Sequence, residues 1–235
     1  MTNSGKITIG ILQPGYLPWL GFFEQLQKSD VFVIYDDVQY DRGSWRNRNR
    51  IKTVSGTQWL TVPVLVKFME RLSVNEIKID NHSDWKKKHL ASIKLNYSKA
   101  PFYSKYIDIF EAAYTKEWEY LVDLDMHFIL TLAELFGIDS KKIKMSSVLR
   151  PEGDKNSRLI SLCKMFNAGI FYEGAAGKNY IDEAVFKKEG INVAFQDYKH
   201  PVYPQLYGDF ISHLSVVDLL FNCGPESLDV IMGSN

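Results

Sequence analysis

Only two cysteines, Cys163 and Cys223, occur in 235 residues. They form no C-x-x-C pair and have no histidine at metal-ligand spacing. Neither a disulfide framework nor a metal site is therefore expected, and a reducing, cytoplasmic setting fits best. Net charge is lacking too, since 28 Lys and Arg balance 28 Asp and Glu. With no global field, nucleic acid is not an expected partner. No apolar run is long enough to span a bilayer, and residues 1–6 carry no apolar signal core, so membrane insertion is not expected either. Repeats and low-complexity tracts are absent. What is present is 46% hydrophobic and 24% charged, ordinary for a globule, and the length suits one domain over residues 1–235.

The first 35 residues read as a βαβ unit. Residues 7–12 form a short apolar run that ends at Pro14-Gly15. Pro18 suits a helix start, Leu20, Phe23 and Leu26 follow at helical spacing, and residues 31–35 are a second apolar run ending at Asp36-Asp37. Two strands and a helix within so short a span require a parallel sheet. Residues 45–53 and 58–66 flank a turn at 54–57 and predict a β-hairpin, with Pro63 at an edge or strand end. Residues 83–137 read as a helical insert, with helices carrying Trp85, His89 and Ile93, then Tyr103 to Ala113, then residues 118–136. Strands at 143–148, 169–172 and 191–195 and helices at 154–166 and 215–221 follow. The expected fold is α/β, a parallel Rossmann-like sheet with a β-hairpin and a helical insert.

Ligands of open α/β sheets lie beyond the carboxyl ends of the strands. That rule selects Gln13-Pro14-Gly15-Tyr16-Leu17-Pro18, where a tight turn meets a helix N-terminus, with Gln13 and Tyr16 as substrate contacts. Asp36 and Asp37, with Gln39 beside them, stand at the next strand end and would bind an amine or a metal; capping a turn is the plainer role. Arg46, Arg48 and Arg50 alternate with Asn47 and Asn49, so the arginines share one strand face and could fork a diphosphate. Lys155 and Arg158 sit in a helix's first turn, where cations oppose the dipole unless an anion is near. Gly174, Lys178 and Tyr180 follow a strand and suit a phosphate or sugar. His200, held extended by Pro201, is the first choice for proton transfer, and His213 is a further substrate contact. Ser215 and Asp218 read as a capping pair, and a catalytic triad with His213 is disfavoured, since neighbours on one turn do not easily adopt the needed geometry.

Two resemblances add to this. Pro18-Trp19-Leu20-Gly21-Phe22 resembles the P-x-H-x-G-H turn of nucleotidylyl transferases and pantothenate synthetases, with Trp19 and Phe22 where those enzymes carry histidines. It implies a nucleotidylyl-transferase-like form of the sheet. The segments Ile11-Leu12-Gln13-Pro14-Gly15-Tyr16-Leu17-Pro18-Trp19-Leu20-Gly21-Phe22-Phe23, Asp36-Asp37-Val38-Gln39-Tyr40, Arg48-Asn49-Arg50-Ile51-Lys52 and His213-Leu214-Ser215-Val216-Val217-Asp218 resemble the WbqC-like family. That resemblance implies bacterial surface-polysaccharide biosynthesis, typically of O-antigen, and an amino-sugar acylation such as glycine transfer; a nucleotidylyl transferase of similar fold and a non-catalytic sugar-nucleotide binding module stay open as alternatives. The substrate would be a nucleotide sugar, with ATP and Mg2+ or a preactivated acyl donor as co-reactant. Glycosyltransferases and a second copy of the chain are the expected protein partners.

Overall fold

The computed structural model describes residues 5–66 and 71–233. The expected lack of a signal core at residues 1–4 falls outside them. In chain order the elements are β1 (Ile7–Leu12), α1 (Leu20–Lys28), β2 (Val31–Ile34), β3 (Arg48–Thr53), β4 (Gly56–Thr61), β5 (Val64–Leu65), β6 (Lys78–Ile79), α2 (Trp85–Tyr97), α3 (Tyr103–Thr115), α4 (Leu121–Leu135), β7 (Ile143–Met145), α5 (Ser146–Leu149), α6 (Lys155–Met165), β8 (Ala168–Glu173), α7 (Glu183–Lys188), β9 (Asn192–Phe195), α8 (Val216–Cys223) and α9 (Ser227–Met232).

Five strands form one parallel sheet in the order β7-β2-β1-β8-β9. β1 is central, and the chain's direction of progress across the sheet reverses between β1 and β8. Alternation along the strands sends side chains to two cores. Ile9, Ile11, Val33 and Phe171 pack with Leu159, Leu162 and Cys163 of α6 and with Phe186 of α7. Phe32 and Ile34 join the larger core, which takes in α1, the insert helices α2 to α4, and α8 and α9. Gly10 faces that second side. A Cβ there would sit 2.8 Å from the Phe32 ring, so only glycine lets the helical layer close on the central strand.

The hairpin forms from β3 and β4, but its first strand starts at Arg48, later than expected at residue 45. Pro63 falls between β4 and β5, where its missing N–H breaks no ladder. The strand expected over 143–148 ends at Met145. Ser146 and Ser147 instead turn their hydroxyls to the Asp36 carboxylate, and that pull starts the helical turn α5. Residues 174–177 enter a 3-10 turn, Ala175–Asn179.

Residues 196–215 have neither helix nor strand and are fixed by buried polar contacts. Asp218 accepts hydrogen bonds from Tyr97 Oη (2.8 Å), Tyr203 Oη (2.9 Å) and Gln205 Nε2 (2.8 Å). Lys52 Nζ donates to Gln205 Oε1 (3.0 Å) and to the Asp209 carbonyl (2.6 Å). Ser215 caps α8, accepting from Val217 N. Asp218 does not complete the expected capping pair, because its oxygens are spent on the tyrosines and Gln205. Among the described residues, no helix is long and apolar enough to cross a membrane.

Candidate functional site

The chain after β1 turns at Pro14-Gly15 beneath residues 45–46. Tyr16 N donates to the Arg46 carbonyl (2.9 Å), and a Cβ on Gly15 would stand 3.0 Å from the Trp45 carbonyl oxygen. The result is a cavity of about 330 Å3 at the end of the central strand. Its wall includes Gln13, Pro18, Trp19, Trp45, Arg46 and His213. Arg46 reaches in from beside the hairpin and is fixed by donating from Nη1 to the Gln13 (3.0 Å) and Pro14 (3.2 Å) carbonyls. Burial lowers its pKa, and Asp125 is the foremost opposing charge. Its Nε and the Gln13 Oε1 are buried without a protein partner, so the wall carries both a donor and an acceptor.

Trp19 and Phe22, the residues at the histidine positions of the adenylyl-transfer turn, have different fates. Phe22 is buried edge-on against Phe32 and Phe23. Trp19 lies stacked on His213, with centroids 5.7 Å apart and planes at 18°, and meets Tyr198 edge-on. A histidine from a distant segment thus lies against Trp19 of the turn. His213 adopts a left-handed φ of 57°, and its carbonyl accepts from Arg50 Nη2 (3.3 Å). The Trp19 indole also lies across Gly21, leaving no room for a Cβ. Gly21→Ala is expected to displace the indole and cost about 1–3 kcal/mol. A shifted tryptophan emission maximum together with a lower urea midpoint would register it, and an unchanged spectrum would contradict it.

His200 lies next to His213, with ring centroids 5.0 Å apart. Its Nδ1 is 2.9 Å from the Pro201 carbonyl, which only accepts, so Nδ1 carries the proton. Nε2 is then a lone pair, buried and without a protein partner. Burial, followed by the neighbouring His213, lowers the pKa and keeps the ring neutral. His200 does not line the cavity; His213 does.

Tyr16, expected at the substrate, is fully buried and turned away from the cavity wall. Its hydroxyl is 2.9 Å from His89 Nδ1 and also bonds the Tyr114 hydroxyl. Burial pushes His89 down to about 4, so the imidazole is a neutral acceptor at working pH. Asn49 lines the cavity, but its amide is used by the fold: Nδ2 donates to the Leu17 carbonyl (2.7 Å) and Oδ1 accepts from Arg50 N (2.8 Å). The expected arginine face is present for Arg48 and Arg50, which lie on indoles and donate to the Gly43 and His213 carbonyls.

A second group of side chains lies at the ends of β2, β7 and β8. The Asp36 carboxylate is saturated by Ser146 Oγ (2.9 Å), Ser147 N (3.0 Å) and Ser147 Oγ (2.6 Å), an anion held at a short helix's start. Asp37 pairs with Arg158, whose guanidinium lies over the Tyr35 ring. Gln39 is exposed and bridges Ser73 through its backbone. Lys155 is exposed at the first position of α6, and Lys178 is exposed over Phe195. Among the described residues, no cluster of three or more His, Cys, Asp or Glu is placed to hold a metal.

The sequence reading missed Glu173, the last residue of β8. It is buried, accepts from Gly174 N (3.0 Å) and from Tyr180 Oη (3.2 Å), and is crowded by Gly177. Burial raises it from 4.5 to about 7 against the pull of those two donors. The available signal was a carboxylate at a strand end, the same signal that selected Asp36. Residues 13–230 of this sequence match the WbqC-like protein family.

The chain belongs to the WbqC-like protein family.

It is also 36% identical over 225 residues to an uncharacterized protein of Mycobacterium tuberculosis, Rv1507c, covering 95% of this chain and 96% of that protein. No solved structure matches the chain. The matched family region begins at Gln13, directly after β1, and runs through the hairpin and β8, so it takes in both groups of side chains.

Proposed function

We propose that this WbqC-like protein is a cytoplasmic transferase or ligase that acylates the amine of a nucleotide-linked amino sugar, with glycine as the acyl group, in surface-polysaccharide biosynthesis. The observation that carries the reading is Glu173. A buried carboxylate with a pKa of about 7 stands at the end of β8, outside the cavity lining but next to the strand that ends there, and it is hydrogen-bonded to Tyr180, whose hydroxyl feels the Arg46 charge. An amino sugar arrives largely as an ammonium ion and must lose a proton before it attacks. A base poised near neutrality is suited to take it. The strand order, with the cavity where that order reverses, supports a Rossmann-like, nucleotide-binding arrangement.

In this scheme the amine nitrogen attacks the carbonyl carbon of an activated glycyl donor. Glu173 first takes the ammonium proton, the C–N bond then forms as the bond from the carbonyl carbon to the leaving group breaks, and the leaving group departs with its bonding pair and the second amine proton. Arg46, with its unpartnered Nε, and Gln13 orient the reacting groups in the cavity. Arg158, paired with Asp37, and the exposed Lys155 and Lys178 supply contacts to the phosphates of the acyl donor or of the ATP that makes it, with Tyr180 holding Glu173. The donor is either a preformed acyl phosphate or thioester, or one made in place from glycine, ATP and Mg2+. Incubating the protein with UDP- or dTDP-amino sugars, glycine, ATP and magnesium, or with preactivated glycyl donors, is expected to add the mass of one glycyl residue to the sugar nucleotide. No mass gain with any donor class would end the proposal.

One observation favours a second reading. The stacking of His213 on Trp19 brings an imidazole beside the turn whose nucleotidylyl-transferase counterpart carries histidines, which supports that reaction. That reaction predicts pyrophosphate release from a nucleoside triphosphate and a sugar phosphate, with loss on His213→Ala. A proton-transfer role for His200 is separable from both: His200→Ala would then abolish glycyl transfer while Glu173→Gln retained it.

A further inference from the structure

On the outer face of the hairpin, two indoles and two guanidiniums form a continuous platform. Trp45 and Trp59 are 46% and 43% exposed, with ring centroids 5.0 Å apart and planes at 43°. Arg48 lies 4.6 Å from the centre of Trp59, and Arg50 lies 5.6 Å from the centre of each indole. The pairing register explains the arrangement, since Arg50 faces Trp59 across the ladder and Arg48 stands two residues along on the same face. Trp45 also lines the cavity, so the platform and the cavity share a wall.

Neither guanidinium is used up. Among the described residues, each guanidinium donates to one carbonyl, Gly43 or His213, and the Nε of each has no partner. Two half-exposed indoles held in place by cations offer π-faces to a flat ring, and cations on those faces favour an anion beside it. A free sugar would use the indoles and leave the guanidiniums without a counter-charge. A diphosphate alone would do the reverse. One small molecule with both a flat ring and a phosphate is a nucleotide.

We infer that the Trp45–Trp59 platform binds the base of a nucleoside diphosphate, with Arg48 and Arg50 on its phosphates, so that the group the diphosphate carries enters the cavity beside Trp19 and Arg46. The inference rests on the reading of the cavity as a nucleotide-sugar site. It identifies the hairpin as the part that recognises the nucleotide half.

Calorimetric titration of the full chain with UDP, dTDP, pyrophosphate and glucosamine tests it. UDP or dTDP is expected to bind more tightly than pyrophosphate. Trp59→Ala is expected to weaken nucleotide binding about tenfold or more while leaving pyrophosphate affinity unchanged, the loss typical of a removed stacking ring. Trp59→Phe, which keeps a ring, should restore most of the affinity and exclude a folding defect. Arg50→Gln should weaken UDP and pyrophosphate alike. The platform assignment is overturned if Trp59→Ala leaves UDP affinity unchanged, or if glucosamine alone is weakened as much as UDP. Those results with glycyl transfer intact would remove the platform and spare the proposed activity. Nucleotide binding that follows Trp59 in a protein without glycyl transfer would do the opposite.

Discussion

Glu173→Gln is expected to lower kcat/KM for amide formation by roughly 10²- to 10⁴-fold, the contribution of a positioned general base. The wild-type rate should climb with pH and level off above about 7, where burial sets the Glu173 pKa, and the variant should lose that limb. Stability carries the same signature with a definite sign. The folded carboxyl holds its proton to higher pH than the unfolded one, whose pKa is near 4.5. Its contribution is therefore present below that value and lost as pH rises through about 7, a loss on the order of 3 kcal/mol. A glutamine has no such loss, so the variant should be relatively more stable than wild type at pH 8 than at pH 4.5. Urea unfolding at the two pH values, run beside the glycyl-transfer assay, checks both halves. A variant with the wild-type rate and pH profile removes Glu173 from the mechanism.

Asp218→Ala should cost about 3–5 kcal/mol, enough to unfold much of a marginally stable population. The carboxylate is fully buried and accepts from Tyr97, Tyr203 and Gln205. Without it, two phenols and an amide lose their shared acceptor in the interior, and the Lys52 ammonium loses its nearby negative charge. Asp218→Asn keeps the shape and one acceptor oxygen, and should cost less. Urea midpoints of the two variants measure the difference. A loss below about 1 kcal/mol for the alanine would mean that the network does not hold residues 196–215.

The local part of the fold was legible in the sequence. The βαβ unit, the hairpin and the three insert helices are written in short-range periodicity and turn residues, and each lies within a few residues of its expected place. The sheet order was not legible, because no local pattern says that residues 168–173 pair with β1. Glu173 stands at a readable strand end, but its burial is not readable there: the 3-10 turn that follows lays Gly177 against its side chain. The arginine alternation was readable from residues 46–50, and the hairpin register would have placed Trp59 opposite Arg50. Tyr16 was misjudged because its partners, His89 and Tyr114, come from the insert helices, and nothing near the first turn reveals them.

The placement of β1 has a consequence for how the protein is made. One neighbour, β2, is synthesised directly after it, while the other, β8, comes from the last third of the chain. Closing that second pairing spans a long loop, and long-range parallel pairing is slow. A chain emerging from the ribosome can complete the β1–β2 edge and much of the insert while the far side of β1 is still bare. Glu173, His200 and His213 reach the central strand only with the final segments. The complete cavity is therefore a property of the finished chain, and a nascent protein stopped after α4 would carry the hairpin platform without Glu173, His200 and His213.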